Sequence, residues 1–448
     1  MQSKHRLFLP IGGCLLLLLL AACGGSSTSP TTATHSPTPG GTVSQSPTPG
    51  TTPTATTNPA PATAPVPPTQ TSCPAAGTGR AAVTAPLALG SHQNIVYLVK
   101  QGPGGSTSST LKRYDLTTGN KTVIFQESGI FITQAQISTD GQWILFLAVT
   151  ANESKLQMVR MDGQGLQTLY CAQGSGLQNV QWSSNQRFVV FDQGGTVQTG
   201  VYLLDMASGS VQIELYPPRN NDFVVRTWLD ATRLYVSDLP IDQPPSHLYL
   251  LDTARGPGQH MGDLLTVLQP SKNMPYPAVD FDSSYDGIRL FTNLCVCGQG
   301  GNHGPSTIAM QPVTGGQATT IYSSQAYAVT TVRAISASRI LFLIDNENLG
   351  SQTDTSHNGL WVMDTSGAGL LHLVPDSSSM FVSLNQYSRD PWSNISRDGS
   401  MYAAEVNTLQ GQRPTYSLIF GSLSGGSPTT LASISDGTQL EIVGWTTM

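Results

Sequence analysis

Residues 136–169 read QISTDGQWILFLAV, then TANES, then KLQMVRMDGQGLQTL. Apolar and polar residues alternate with period two within each run, the pattern of strands with two distinct faces. Asp140-Gly141 is a hairpin turn between the first two runs, and Asp162-Gly163 is a second turn between the third and the fourth. The stretch therefore describes four short antiparallel strands. The apolar surface of one such sheet needs neighbouring copies to cover it.

Those copies are present. VQWSSNQRFVVFD pairs with VYLLDMASGSVQIEL, RTWLDATRLYVSD with HLYLLDTARG, and VDFDSSYDGIRLFTN with TIAMQPVTGGQATTI. VRAISASRILFLID pairs with GLWVMDTSGAGLLHL, and SNISRDGSMYAAEV with YSLIFGSLSGGSPTTL. The hydrophobic residues that precede the first turn are Ile137, Trp182, Trp228, Phe281, Ile335, Ile395 and Trp445, at intervals of 45 to 60 residues. A four-stranded unit recurring at this spacing is the sequence pattern of propeller blades.

Seven marks imply seven innermost strands, yet the last, in EIVGWTTM, is followed by only three residues. Conversely, the first unit, NIVYLVK with LKRYDLTTGNKTVIF, lacks an innermost strand of its own. Residues 440–446 are therefore expected to supply it and close the ring, removing the free edges of an open array. The rival is a six- or eight-bladed ring in which RAAVTAPLA, residues 80–88, forms the inner strand.

The S-x-D-G turn followed by a "YLLD" or "WVMD" strand resembles the TolB-type propeller repeat, a relative of the WD repeat, over residues 90–448. Asn185-Gln186, Ala231-Thr232 and Ser338-Arg339 replace Asp-Gly in three copies. The resemblance implies an all-β, seven-bladed β-propeller of four-stranded antiparallel blades, and interactions with envelope proteins. The N-terminal partner domain of TolB has no counterpart here.

Residues 1–22 read as an export signal: Lys4 and Arg6, an apolar run LFLPIGGCLLLLLL, then Ala21-Ala22. Pro10, Gly12 and Gly13 interrupt that run, which is shorter than the roughly 20 residues of a spanning helix. Leu20-Ala21-Ala22-Cys23 followed by Gly24-Gly25 resembles the lipobox of bacterial lipoproteins. It implies cleavage before Cys23, diacylglycerol on its thiol, and further acyl chains such as palmitate that make anchoring stable. The expected location is the outer side of a bacterial cell membrane. From Gly24 to about Gly79 the chain is Thr, Pro, Ser, Ala and Gly almost throughout, a disordered stalk that cannot build a core. The propeller is expected over residues 80–448.

Charged residues make up only 11% of the chain against 39% hydrophobic, and there are 45 glycines, a composition that favours turn-rich β structure. Losing Lys4 and Arg6 with the leader takes the formal net charge from −6 to −8. With no basic run there is no footprint for nucleic acid. A monomer is expected.

In a four-stranded blade the first-to-second and third-to-fourth turns share one face, and the second-to-third and blade-to-blade connections share the other. The long segments fall on the second face: QGPGGSTSST, DLPIDQPPSH, QPSKNMPYPA, NLCVCGQGGNHGPS, DNENLGSQTDTSHNG and PDSSSMFVSLNQYSRDPW. Recognition on rigid scaffolds concentrates in such loops. Tyr276, Asp345, Glu347, Tyr387 and Trp392 are nominated as a rim around the channel.

Cys73, Cys171, Cys295 and Cys297 remain after lipidation of Cys23. They allow three disulfide pairings, among which spacing does not choose. Cys295 and Cys297 with His303 also offer metal ligands, although one intervening residue is tighter than in known zinc motifs. His92, His247, His260, His303, His357 and His372 are scattered singly, and no G-x-S-x-G segment occurs. The expected function is a noncatalytic binding module for a protein, peptide or glycan, without a cofactor. The alternative is a metal-dependent or lyase-type enzyme using the same face.

Overall fold

The computed structural model describes residues 69–448 except 76, 82–86, 88–89, 102–107, 175, 195–198, 218–220, 241–246, 269–279, 298–300, 349–353, 378, 386–389, 411–412 and 436–437. The export signal, Cys23 and the stalk as far as residue 68 lie outside the described residues, as do Tyr276 and Tyr387.

The described chain is all β apart from two single 3-10 turns, and its strands form seven four-stranded antiparallel blades. Blade 2 consists of Phe131–Ile137, Trp143–Val149, Glu153–Arg160 and Gln167–Gln173, from the channel outward. Its second strand shows how the sequence drives the fold. Trp143, Leu145 and Leu147 pack against blade 3, while Ile144, Phe146 and Ala148 pack against blade 1. All six are buried because both faces of the sheet meet a neighbour, so the apolar run is continuous although its contacts alternate. Seven apolar clusters of this kind occupy the seven interfaces between adjacent blades.

The S-x-D-G motif is a turn built by side chains. In blade 2 the Ser138 hydroxyl donates to Asp140 Oδ1 (2.6 Å) and accepts from the Trp143 N–H (2.9 Å). Asp140 accepts from the Gln142 N–H, and Gly141 takes φ +76°, which a side chain would oppose. Ser183-Ser184-Asn185-Gln186 keeps the same bonds, with Gln186 itself at φ +59°. The departures from Asp-Gly thus retain the turn where the serine and a short polar acceptor remain. At the end of the third strand Asp115 and Asp205 likewise accept two backbone N–H groups each.

The ring closes as the sequence implied. The C-terminal strand Gln439–Thr447 is the innermost strand of blade 1 and pairs antiparallel with Gln93–Gln101, with Trp445 opposite Ile95. Residues 80–88 do not form an inner strand where they are described. Ala81 donates its N–H to Met206 O, and Leu87 donates its N–H to Gln142 Oε1 at a turn.

Two features were not legible from the repeat. The innermost strand of blade 7 is split: Met380–Ser383 pairs with the second strand, and Ile395 meets Tyr402 only through an isolated bridge. Between them Asn385 Nδ2 donates to Ile442 O, and Trp392 O accepts the Trp445 N–H at 2.9 Å. In addition, residues that composition places in the stalk run along the outer strand of blade 2. Gln70 hydrogen-bonds Leu166 O and the Thr168 N–H, and Cys73 forms a disulfide with Cys171.

Candidate functional site

On the long-loop face a cavity of about 420 Å³ opens between blades 7, 1 and 2. Strand alternation aims its charged groups. In Gln93–Gln101, Val96 and Leu98 face blade 2, so Lys100 falls on that side too, 5.5 Å from the centre of the Phe131 ring. Glu441 comes from the closing strand one register step away, where Leu98 pairs with Glu441 and Lys100 with Gln439. On the second strand of blade 7, Met401–Gln410, Ala403 packs towards blade 1, and Glu405 shares its parity. Leu384 and Asn385 complete the rim, held in place where Asn385 O accepts from the Arg333 guanidinium at 2.9 Å. That guanidinium is itself paired with Asp280 at 2.6 Å.

Lys100 and Glu441 form an ion pair with side chains only 8% and 10% exposed. Glu405 accepts the Ile442 N–H at 3.1 Å. Burial pushes its carboxyl up to about 8, the neighbouring Glu441 carboxylate adds to the rise, and the Ile442 N–H and Lys100 act against it. At neutral pH the cluster therefore holds one ammonium, one carboxylate and one neutral carboxyl. Ser383, Asn407, Tyr416 and Gln439 supply uncharged polar groups, and Phe131, Leu384 and Leu440 supply apolar surface. Thr133 lines the same space, and its hydroxyl is shielded from solvent. This is a polar, net-neutral recess suited to binding.

Sequence reasoning did not single out Lys100, Glu405 or Glu441. Their signal was a lone charge inside an apolar strand, in IVYLVKQ, MYAAEVN and QLEIVGW, within a chain of low charge content.

Of the nominated rim residues that are described, Asp345 and Glu347 lie near each other and Trp392 lies apart from them. Asp345 and Glu347 follow Arg339–Ile344 on its connection to Gly359–Asp364, the second and third strands of blade 6, on the long-loop face but outside the cavity lining. Burial and then the Glu347 charge raise the Asp345 carboxyl, which accepts from Asn302 Nδ2 at 3.4 Å. Nearby, burial pushes the Asp376 carboxyl up to about 6, with Asp345 adding to it. Trp392 sits at the opposite opening of the channel, because the split in blade 7 carries it to the tight-turn face. There its ring lies 4.7 Å from that of Tyr285, with Arg397 over it at 5.4 Å. Trp182, Trp228 and Asp390 line the same small cavity of about 80 Å³.

Cys295 and Cys297 are joined as a disulfide. His303 Nδ1 is hydrogen-bonded to Gly304 O at 2.8 Å. Among the described residues one trio of potential metal ligands lies within 4.8 Å, Cys73, Glu153 and Cys171, and two of its members form the other disulfide. The remaining described histidines have local partners: His92 with Asp115 (3.0 Å), His247 with Asp238 (2.9 Å), His260 stacked on Tyr216, and His357 and His372 against Trp361.

No protein-family description matches the sequence, and no curated protein does. Solved structures do. TolB from Acinetobacter baumannii shares 13% identity with a TM-score of 0.41, and the match covers 61% of each chain. A putative TolB from Agrobacterium tumefaciens shares 12% identity over 79% of this chain and 99% of its own, with a TM-score of 0.40. The β-propeller domain of the Trilobed protease from Pyrococcus furiosus, noted for an open Velcro topology, shares 12% identity over 78% of this chain and 97% of its own, with a TM-score of 0.50. The chain is thus a seven-bladed β-propeller whose structural neighbours include TolB and other propeller proteins, a likeness of fold at these identities.

Proposed function

We propose that this chain is a lipid-anchored, extracytoplasmic β-propeller that acts as a noncatalytic binding module, taking a protein, peptide or glycan at the channel mouth of its long-loop face. One observation carries the reading: the 420 Å³ cavity joins a buried Lys100–Glu441 pair, Glu405 and several uncharged polar groups at that mouth. Rigid strands rather than loops present those groups, which limits the ordering cost of binding. The anchor rests on the sequence around Cys23.

Two experiments test this. Peptide and glycan arrays probed with the full chain are expected to show binding that is lost in Thr133→Trp and in Asn407→Trp, both of which fill the cavity. Thermal unfolding would check that each variant is folded. Binding that survives both substitutions, or no wild-type binding in either array, would overturn the site. For the anchor, Cys23→Ser is expected to abolish palmitate incorporation and release the chain from membranes, and retention in the membrane fraction would count against lipidation.

A further inference from the structure

We propose that the cavity between blades 7, 1 and 2 captures the side chain of a lysine on a peptide or protein partner, its ammonium completing a four-charge cluster with Lys100, Glu405 and Glu441. The inference rests on the binding reading above and narrows its ligand.

The argument begins with charge. Two carboxyl groups on different blades, Glu405 of blade 7 and Glu441 of blade 1, share one ammonium, that of Lys100. Ionising both leaves one negative charge uncompensated in a partly dry recess, and burial consequently holds Glu405 protonated at neutral pH. A neutral ligand leaves Glu405 protonated, and an anion favours that form further. An incoming ammonium supplies the missing charge: Glu405 gives its proton to solvent, and two cations then face two carboxylates.

One observation independent of the carboxylates points to an occupant. The recess is an open cavity of about 420 Å³, room enough for a long side chain. The chemistry of the walls selects the stem. Phe131, Leu384 and Leu440 offer apolar surface to a chain of methylenes, and Ser383 and Asn407 offer oxygens to the hydrogens of an ammonium. The charged or titratable groups lining the cavity are Lys100, Glu405, Glu441 and Tyr416.

The test is calorimetric titration of the full chain, in detergent, with acetyl-Gly-Lys-Gly-amide and with its norleucine analogue. Glucosamine serves as a third probe, for an ammonium carried on a sugar. Titrations in buffers of different ionisation enthalpy report protons exchanged. With Glu405 titrating at about 8, about 0.9 proton should be released per lysine peptide bound at pH 7, falling to about 0.1 at pH 9. Affinity should rise about ninefold from pH 6 to 7 and about fivefold from pH 7 to 8, and then level. The norleucine peptide should bind at least about tenfold more weakly. Glu405→Gln should abolish the proton release and weaken the lysine peptide more than the norleucine peptide.

Equal binding of lysine and norleucine peptides, or lysine binding without proton release, would overturn the proposal, as would glucosamine binding with no lysine binding. Array ligands lost in Thr133→Trp but lacking any ammonium would also overturn it and leave the binding reading standing. If no array ligand depends on the cavity, both fall together.

Discussion

Glu405→Gln should stabilise the protein, and by an amount that grows with pH. The carboxyl titrates at an ordinary 4.5 in the unfolded chain and at about 8 in the fold, chiefly because it is buried. Between those values the folded state holds a proton that the unfolded state has released. Stability therefore falls as pH rises through the window, by about 1.4 kcal/mol per pH unit, and is flat outside it. Glutamine mimics the neutral acid, since its carbonyl can still accept the Ile442 N–H, and it does not titrate. The difference in unfolding free energy, variant minus wild type, should thus widen by about 3–4 kcal/mol between pH 5 and pH 8. Other carboxyls raised by burial, such as Asp192 and Asp376, contribute equally to both proteins and cancel. Urea unfolding followed by tryptophan fluorescence at half-unit pH steps measures the difference directly. A gap that stays within about 1 kcal/mol across the range would refute the premise that Glu405 is neutral in the fold.

Two further perturbations bear on the ring. Trp445→Ala, at a fully buried position of the closing strand, should cost about 3–5 kcal/mol in urea unfolding; a loss below about 1 kcal/mol would mean that the strand is dispensable. Cys171→Ser removes a cross-link between residues 98 apart in sequence and should lower stability by about 2–4 kcal/mol in urea unfolding; a loss below about 1 kcal/mol would mean that the bond adds little to the fold.

Much of the architecture was readable because its chemistry repeats. Ser138, Ser183, Ser284 and Ser396 build the same hydroxyl-capped turn, so the turn appeared at regular intervals. Trp445 announced a strand with no blade of its own, and pairing with Gln93–Gln101 resolves it. Blade 7 resisted the same reasoning. Its long interval had been read as a loop on one face, whereas the extra residues divide the innermost strand and carry Trp392 to the other opening. The cavity resisted for a different reason. Lys100, Glu405 and Glu441 are far apart in sequence, and only ring closure brings blades 7 and 1 together. Each looks like an ordinary polar position in an alternating strand, and no single segment records that three of them converge.

The Cys73–Cys171 disulfide has a mechanical consequence. A pull on the chain upstream of Gln70 meets the ring at the Gln70 hydrogen bonds and then, covalently, at Cys73, which is bonded to the outermost strand of blade 2. Tension passes there into a sheet held by strand pairing, and the intervening residues carry little of it. Those residues include Gln93–Gln101, the strand that holds the closing strand in place. Without the bond, the same pull would run along the polypeptide and peel the ring open at its seam. The cross-link thus acts as a strain relief, separating the point where load enters from the strand pair that closes the ring.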